Sequence, residues 1–118
     1  MLVHESEQNI IHEVLDIYKE LESTINHFDE DLPLSDQLKK LFKQIDCEDF
    51  ELKPMEHLIF YSAHIDNYYV SGSISDRDID WRHFENEVAY ALYLQKGGKR
   101  LKRDKFNELM FDFFVFNK

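Results

Sequence analysis

The sequence predicts an all-α protein, a compact bundle of about five helices forming a single helical domain over residues 1–118. Three observations predict it. Apolar residues recur at helical spacing through long segments near both ends of the chain. Only three glycines and two prolines occur, too few for the turns of a small β protein. Those few fall between the apolar-periodic segments, at Pro33, Pro54, Gly72 and Gly97-Gly98. An α+β alternative, with a hairpin at 58–74 packed on helices, stands beside this reading.

The first helix is expected over residues 6–28. Ile10, Val14, Ile17, Leu21, Ile25 and Phe28 are spaced 4, 3, 4, 4 and 3 residues apart, the period of one helix face. Glu13, Asp16, Glu20 and Glu22 lie off that stripe. Pro33 cannot extend the helix. Ser35 is the expected N-cap of a second, shorter helix, with Leu38, Leu41, Phe42 and Ile45 on its apolar face and Lys39, Lys40 and Lys43 opposite. Residues 46–53, with Asp46, Glu48, Asp49 and Glu51 around Cys47 and Phe50, read as a loop.

Residues 55–74 fit two patterns. Met55, Leu58, Ile59, Ser62, Ile65 and Tyr69 share one face of a helix, with Asp66 among them. Ile59, Phe60, Tyr61, Tyr69, Val70 and Ile74 favour strands, and Asp66-Asn67 could turn a hairpin. An isolated two-stranded hairpin is marginal unless it packs on something, and the helix is the favoured reading. After Gly72, Asp80 is the expected N-cap of the next helix, with Ile79 and Phe84 as its hydrophobic staple. Trp81, Phe84, Val88, Ala91 and Leu92 follow at helical spacing until Gly97-Gly98 stops the run. The last helix carries five of the ten phenylalanines between Phe106 and Phe116, with Leu101, Phe106, Leu109, Met110, Phe113 and Phe116 expected inward.

The charge is uneven. The net charge is −10, which disfavours direct contact with nucleic-acid phosphates or anionic membranes. Lys96, Lys99, Arg100, Lys102, Arg103 and Lys105 hold six of the fourteen basic residues, and the 46–51 acidic loop is expected to neutralise them. Antiparallel neighbours joined by short loops would gather Asp29, Glu30 and Asp31 with Asp76, Asp78 and Asp80 at the opposite end. Capping and loop hydration account for some of these acids. Their concentration at one end also suits a negative patch that docks on a basic protein surface.

Catalytic and metal signatures are sparse. Asp76, Asp78, Asp80 and Glu87 fall at four ligand positions of a calcium-binding loop, but Trp81 stands where the required glycine should be. No His-Glu-x-x-His, paired-cysteine, phosphate-loop or dinucleotide motif occurs. His57 and His64, with Tyr61 and Tyr68, could line a polar groove on a helix. Asp66, on the expected inner face, would need a partner if buried. The single cysteine, Cys47, gives no internal disulfide, and no apolar run reaches the roughly 18 residues of a membrane span. A reducing, cytoplasmic compartment is the expectation, with no secretory signal pattern at Met1.

In size, acidity, aromatic content and low cysteine count, the chain is similar to bacterial immunity proteins and antitoxins that bind basic nuclease toxins, and to phage-encoded inhibitors. That likeness implies a non-enzymatic inhibitor without cofactor or metal, binding a basic protein partner rather than nucleic acid or membrane. The expected contact residues are Asp29, Glu30, Asp31, Asp76, Asp78, Asp80, Tyr61 and Tyr68, with Tyr90 and Tyr93 as further aromatic anchors. Two other functions are set against it: a small helical RNA- or phosphate-handling enzyme using the basic 96–105 segment, and an oligomeric structural module, such as a homodimer through the phenylalanine-rich C-terminal helix.

Overall fold

The computed structural model describes residues 5–116, with side chains described from residue 8 to residue 112. The chain runs α1 (Glu5–Asn26), α2 (Leu34–Gln44), β1 (Phe50–Pro54), β2 (Leu58–Ile65), β3 (Tyr68–Ser75), α3 (Arg82–Gln95) and α4 (Arg103–Phe116). The strands form one antiparallel sheet in the order β1-β2-β3. The fold is therefore α+β, and the all-α bundle is overturned.

The residues at 55–74 obey a two-residue period more strictly than a helical one. Ile59, Tyr61, Ala63 and Ile65 are buried along β2, while Leu58, Phe60 and His64 are exposed. Val70 and Ile74 continue the buried face on β3. Residues 66–67 turn the hairpin, and Asp66 takes a left-handed φ of 55°, a conformation aspartate tolerates better than most residues. The segment read as a loop supplies the missing third strand. Phe50 and Leu52 are turned toward the core and Glu51 and Lys53 toward solvent, with Phe50 opposite Ala63 and Pro54 opposite Ile59. Pro54 sits at the end of an edge strand, where its missing N–H costs no ladder bond.

Helix α3 is the centre of the molecule. It packs on β2 and β3 on one side and on α1 and α4 on the other. That position explains why Phe84, Val88, Ala89, Tyr90, Ala91, Leu92 and Tyr93 are all buried. Phe84 is an aromatic hub: its ring lies 5.4 Å from Phe42 of α2, 5.4 Å from Tyr61 of β2 and 5.6 Å from Trp81, each nearly edge-on. A second cluster joins Tyr90 and Tyr93 to Phe106 of α4 at 4.9 and 5.1 Å. Edge-on ring pairs add about 0.5–1.5 kcal/mol each beyond area burial.

The helix ends are chemically specified. Asp80 Oδ1 accepts the backbone N–H of Arg82 at 3.0 Å just ahead of α3, whose N-cap position is held by Trp81 rather than by the expected Asp80. Of the two residues of the expected staple, Phe84 is buried and Ile79 is exposed. At the other end Gly97 adopts φ 93°, its N–H reaches Leu94 O, and Gly98 N–H reaches Tyr93 O, a Schellman motif. Helix α2 closes the same way with Asp46 at φ 58° and Cys47 N–H on Phe42 O. Its N-cap is Pro33 rather than Ser35. The expected inward positions of Phe113 and Phe116 lie outside the residues whose side chains are described.

Candidate functional site

The contact between Phe28 and Trp81 joins the ends of two loops. Phe28 follows α1 and Trp81 opens α3, and their ring centroids are 6.3 Å apart. That contact brings the chain just after Phe28, at Asp29, and just before Trp81, at Asp80, to the same part of the molecule. Asp29, Glu30, Asp31, Asp76, Asp78 and Asp80 are all exposed. Asp29 Oδ1 accepts the backbone N–H of Asp31 at 3.1 Å, which shapes that loop. Asp80 forms a two-pronged pair with Arg82, at 3.1 Å to Nε and 3.0 Å to Nη2, and these bonds lower its pKa to about 2. His57 joins the same end: its Nδ1 is 3.4 Å from Asp76 and its Nε2 is 2.7 Å from Arg77 Nη2. Among the described residues, Asp29, Glu30, Asp31 and Asp78 have no ion pair.

One face of the sheet is covered by α3 and α2; no described element packs on the other. Strand register fixes what this outer face presents. Lys53, Phe60 and Ser73 form one row, and Glu51, Ser62 and Ser71 the next. His64 and Tyr69 close it, with their rings 5.2 Å apart. The three serines leave a low strip between Phe60 and Tyr69, which is 59% exposed. Met55 and Leu58 extend the apolar surface toward the acidic end, where His57 O accepts the Asp76 N–H at 3.0 Å.

The expected aromatic anchors are elsewhere. Tyr61 is 2% exposed and faces α3, Tyr90 and Tyr93 are core residues, and Tyr68 is half-buried. The residues that could serve as anchors are Phe60, Tyr69, Met55 and Leu58, together with Ile79 within the acidic loop. Reading 55–74 as a helix hid them. The alternation of Ile59, Tyr61, Ala63 and Ile65 is the signal that finds them. The expected groove of His57, His64, Tyr61 and Tyr68 does not form, since Tyr61 and His64 point to opposite faces of β2. Asp66 is exposed in the hairpin turn and accepts a 2.8 Å hydrogen bond from Gln95.

The basic segment also differs from expectation. Its partners are Glu13 for Lys96 at 3.5 Å, Glu87 for Arg103 at 2.7 Å and Glu108 for Lys105 at 3.6 Å, not the 46–51 acids. Arg103 also stacks on the Tyr90 ring, 4.3 Å from its centroid. Asp49 pairs instead with His64 at 3.5 Å. Glu87, engaged by Arg103, is taken out of the calcium-loop pattern, and no group of three metal-ligating side chains occurs among the described residues. A polar groove beside this segment is lined by Asn67, Tyr68, Tyr69, Arg100 and Arg103. No described helix is long and apolar enough to cross a membrane.

A buried acid lies between α1 and α3. Glu85 is 5% exposed, and the Tyr18 hydroxyl and Glu22 carboxyl lie against it. Its Oε2 has no hydrogen-bond partner among the described residues. Burial and the neighbouring Glu22 charge raise its pKa to about 7, and burial likewise raises that of Tyr18. Glu85 had a sequence signal, since it lies on the apolar face between Trp81 and Val88. Cys47 is buried, with its thiol 3.5 Å from His64 O, and burial raises its pKa, which disfavours a nucleophilic thiolate.

Comparison with protein-family models, curated proteins and solved structures finds no match.

Proposed function

We propose that the chain binds a basic surface of another protein and masks it, in the manner of an immunity protein or antitoxin acting on a nuclease toxin. The observation that supports this reading is the Phe28–Trp81 contact, which joins the chain segments that carry Asp29, Glu30 and Asp31 on one side and Asp76, Asp78 and Asp80 on the other. Like charges held together raise the free energy of the isolated fold and are relieved by a cationic partner. The neighbouring outer sheet face adds what charge alone lacks. Phe60, Leu58 and Met55 offer apolar anchors that a partner can desolvate, while the carboxylates form a polar rim. The carboxylates take the place of nucleic-acid phosphates on the partner, and occlusion of its basic site is the inhibitory act. The test is titration with a panel of purified basic nucleases at low and high salt, comparing the chain with a variant reversed in charge at Asp29, Asp31, Asp76 and Asp78. Salt-sensitive binding to at least one nuclease, abolished by reversal, supports the reading. Absence of binding across the panel counts against it.

A second reading rests on the groove beside the basic segment. Arg100 is exposed with no ion pair among the described residues, and it shares that groove with three tyrosines and with Arg103, which Glu87 pairs. Guanidinium groups beside aromatic rings suit a phosphate-bearing ligand. This is the RNA- or phosphate-handling alternative, and salt-dependent RNA binding lost on Arg100→Ala would favour it.

A further inference from the structure

The two edges of the sheet are not alike. His64 N–H donates to Asp49 O at 2.9 Å and Met55 N–H donates to Leu58 O at 2.7 Å, so Leu58 and His64 turn their main-chain groups toward β1. Main-chain groups alternate sides along a strand, so Ile59, Tyr61, Ala63 and Ile65 bond to β3, where Ile74, Gly72, Val70 and Tyr68 stand opposite them. The residues between, Tyr69, Ser71 and Ser73, therefore aim N–H and C=O away from β2. All three are exposed, and these groups have no hydrogen-bond partner among the described residues. Open edges are usually guarded by charge, proline or a bulge. The opposite edge, β1, has Glu51, Lys53 and Pro54. Strand β3 has neither charge nor proline in its eight residues and pairs with β2 without a bulge.

The start of this unguarded edge borders the polar groove that holds Arg100 and Arg103. Arg103 is engaged by Glu87 and the Tyr90 ring, whereas Arg100 has no ion pair among the described residues. We propose that the β3 edge takes an extended segment of another protein as a fourth, antiparallel strand, with an acidic side chain at the C-terminal end of that segment set on Arg100. Pairing with Tyr69, Ser71 and Ser73 supplies up to about six main-chain hydrogen bonds. An antiparallel segment runs its C-terminal end past Tyr68, which lies in the groove with Arg100. The guanidinium then holds the carboxylate by charge-assisted hydrogen bonds.

A polypeptide suits this edge better than RNA, because it presents donors and acceptors at the repeat of a strand. A second copy of the chain fits less well. Helix α3 packs on β3, and two β3 strands about 4.8 Å apart would bring two α3 helices closer than their usual spacing of about 8–10 Å. The edge uses none of the acids of the masking surface, so the two proposals stand or fall separately.

The experiment titrates the isotope-labelled full chain with a capped peptide of alternating threonine and valine that ends in glutamate, matched in length to the eight residues of β3. Amide shifts and hydrogen exchange are followed by NMR. The expected result is shifts centred on β3, with slowed exchange at Tyr69, Ser71 and Ser73. Replacing the terminal glutamate of the peptide by glutamine should weaken binding at least about fivefold. Arg100→Ala should bind the two peptides equally, which ties the preference to that side chain. A peptide N-methylated at the amides that face β3 leaves the protein untouched and should not bind. The proposal is overturned by absence of shifts along β3, by a glutamate preference that survives Arg100→Ala, or by binding of the N-methylated peptide. Binding of oligouridylate through Arg100 without binding of the peptide would also overturn it, as would a dimer in light scattering whose β3 amides are already protected.

Discussion

Phe28 and Trp81 meet with ring centroids 6.3 Å apart and planes tilted by 44°, and this contact fastens the loop after α1 to the start of α3. The Trp81 ring continues into Phe84, and through it into Phe42 and Tyr61. The acidic end is thus anchored to the main aromatic core of the protein.

Phe28→Ala removes the fastening while leaving every carboxylate in place. Phe28 is only partly buried, so a loss of about 1–2 kcal/mol is expected in urea unfolding, below the range for a fully buried ring. Partner affinity should fall with it, because the two segments are no longer joined.

Gly72 lies opposite Tyr61 in the sheet, and a Cβ there would run into the Tyr61 ring and hydroxyl. Gly72→Ala is expected to cost about 1–3 kcal/mol by overpacking. Tyr61→Phe should be neutral or stabilising by up to about 1 kcal/mol, since the buried hydroxyl has no partner. In the double variant part of the Gly72→Ala loss should return. Chemical denaturation of the four proteins measures the cycle.

Asp46 occupies the left-handed position that ends α2, where glycine is favoured. Asp46→Gly is expected to raise stability by about 0.5–1 kcal/mol, readable as a higher urea midpoint with unchanged slope.

Glu85 gives stability a pH dependence of definite sign. Its folded pKa, about 7, lies above its ordinary value of 4.5, so the folded state binds the proton more tightly than the unfolded state. Its contribution is fully present below about pH 4.5 and is lost as pH rises through 7. Relative to Glu85→Gln, the parent chain is expected to lose about 2–3 kcal/mol between pH 4.5 and pH 8. Urea unfolding of both proteins across that range checks the slope.

Much of the helical framework was legible in the sequence. The spacing from Ile10 to Phe28 and the Gly97-Gly98 stop are local signals, set within a few residues by backbone geometry and capping. The sheet was less legible. Leu58 to Tyr69 satisfies both a helical and a strand period, and the choice depends on Phe50–Pro54, whose pairing with β2 is a tertiary event. Once Phe50 and Leu52 supply a third strand, the objection to a marginal hairpin disappears. The same error placed Tyr61 outside and kept Phe60 and Tyr69 out of the expected contact residues, since a strand sends neighbouring residues to opposite faces. The acidic loops stand out in the sequence by charge, whereas the Glu85–Glu22 pair needed the α1–α3 packing. The basic segment was matched to the wrong acids, because Glu13 and Glu87 reach it from helix faces rather than from the nearby loop.

The most direct measurement of the central claim is the association of the chain with a basic nuclease that it binds, compared with the variant Asp29→Lys, Asp31→Lys, Asp76→Lys, Asp78→Lys, at low and high salt. The expected result is a folded variant whose association rate falls by about 10–1000-fold at low salt, together with loss of the salt dependence seen for the parent chain. An unchanged association rate and an unchanged salt dependence, in a variant with the parent's circular dichroism, would contradict the account.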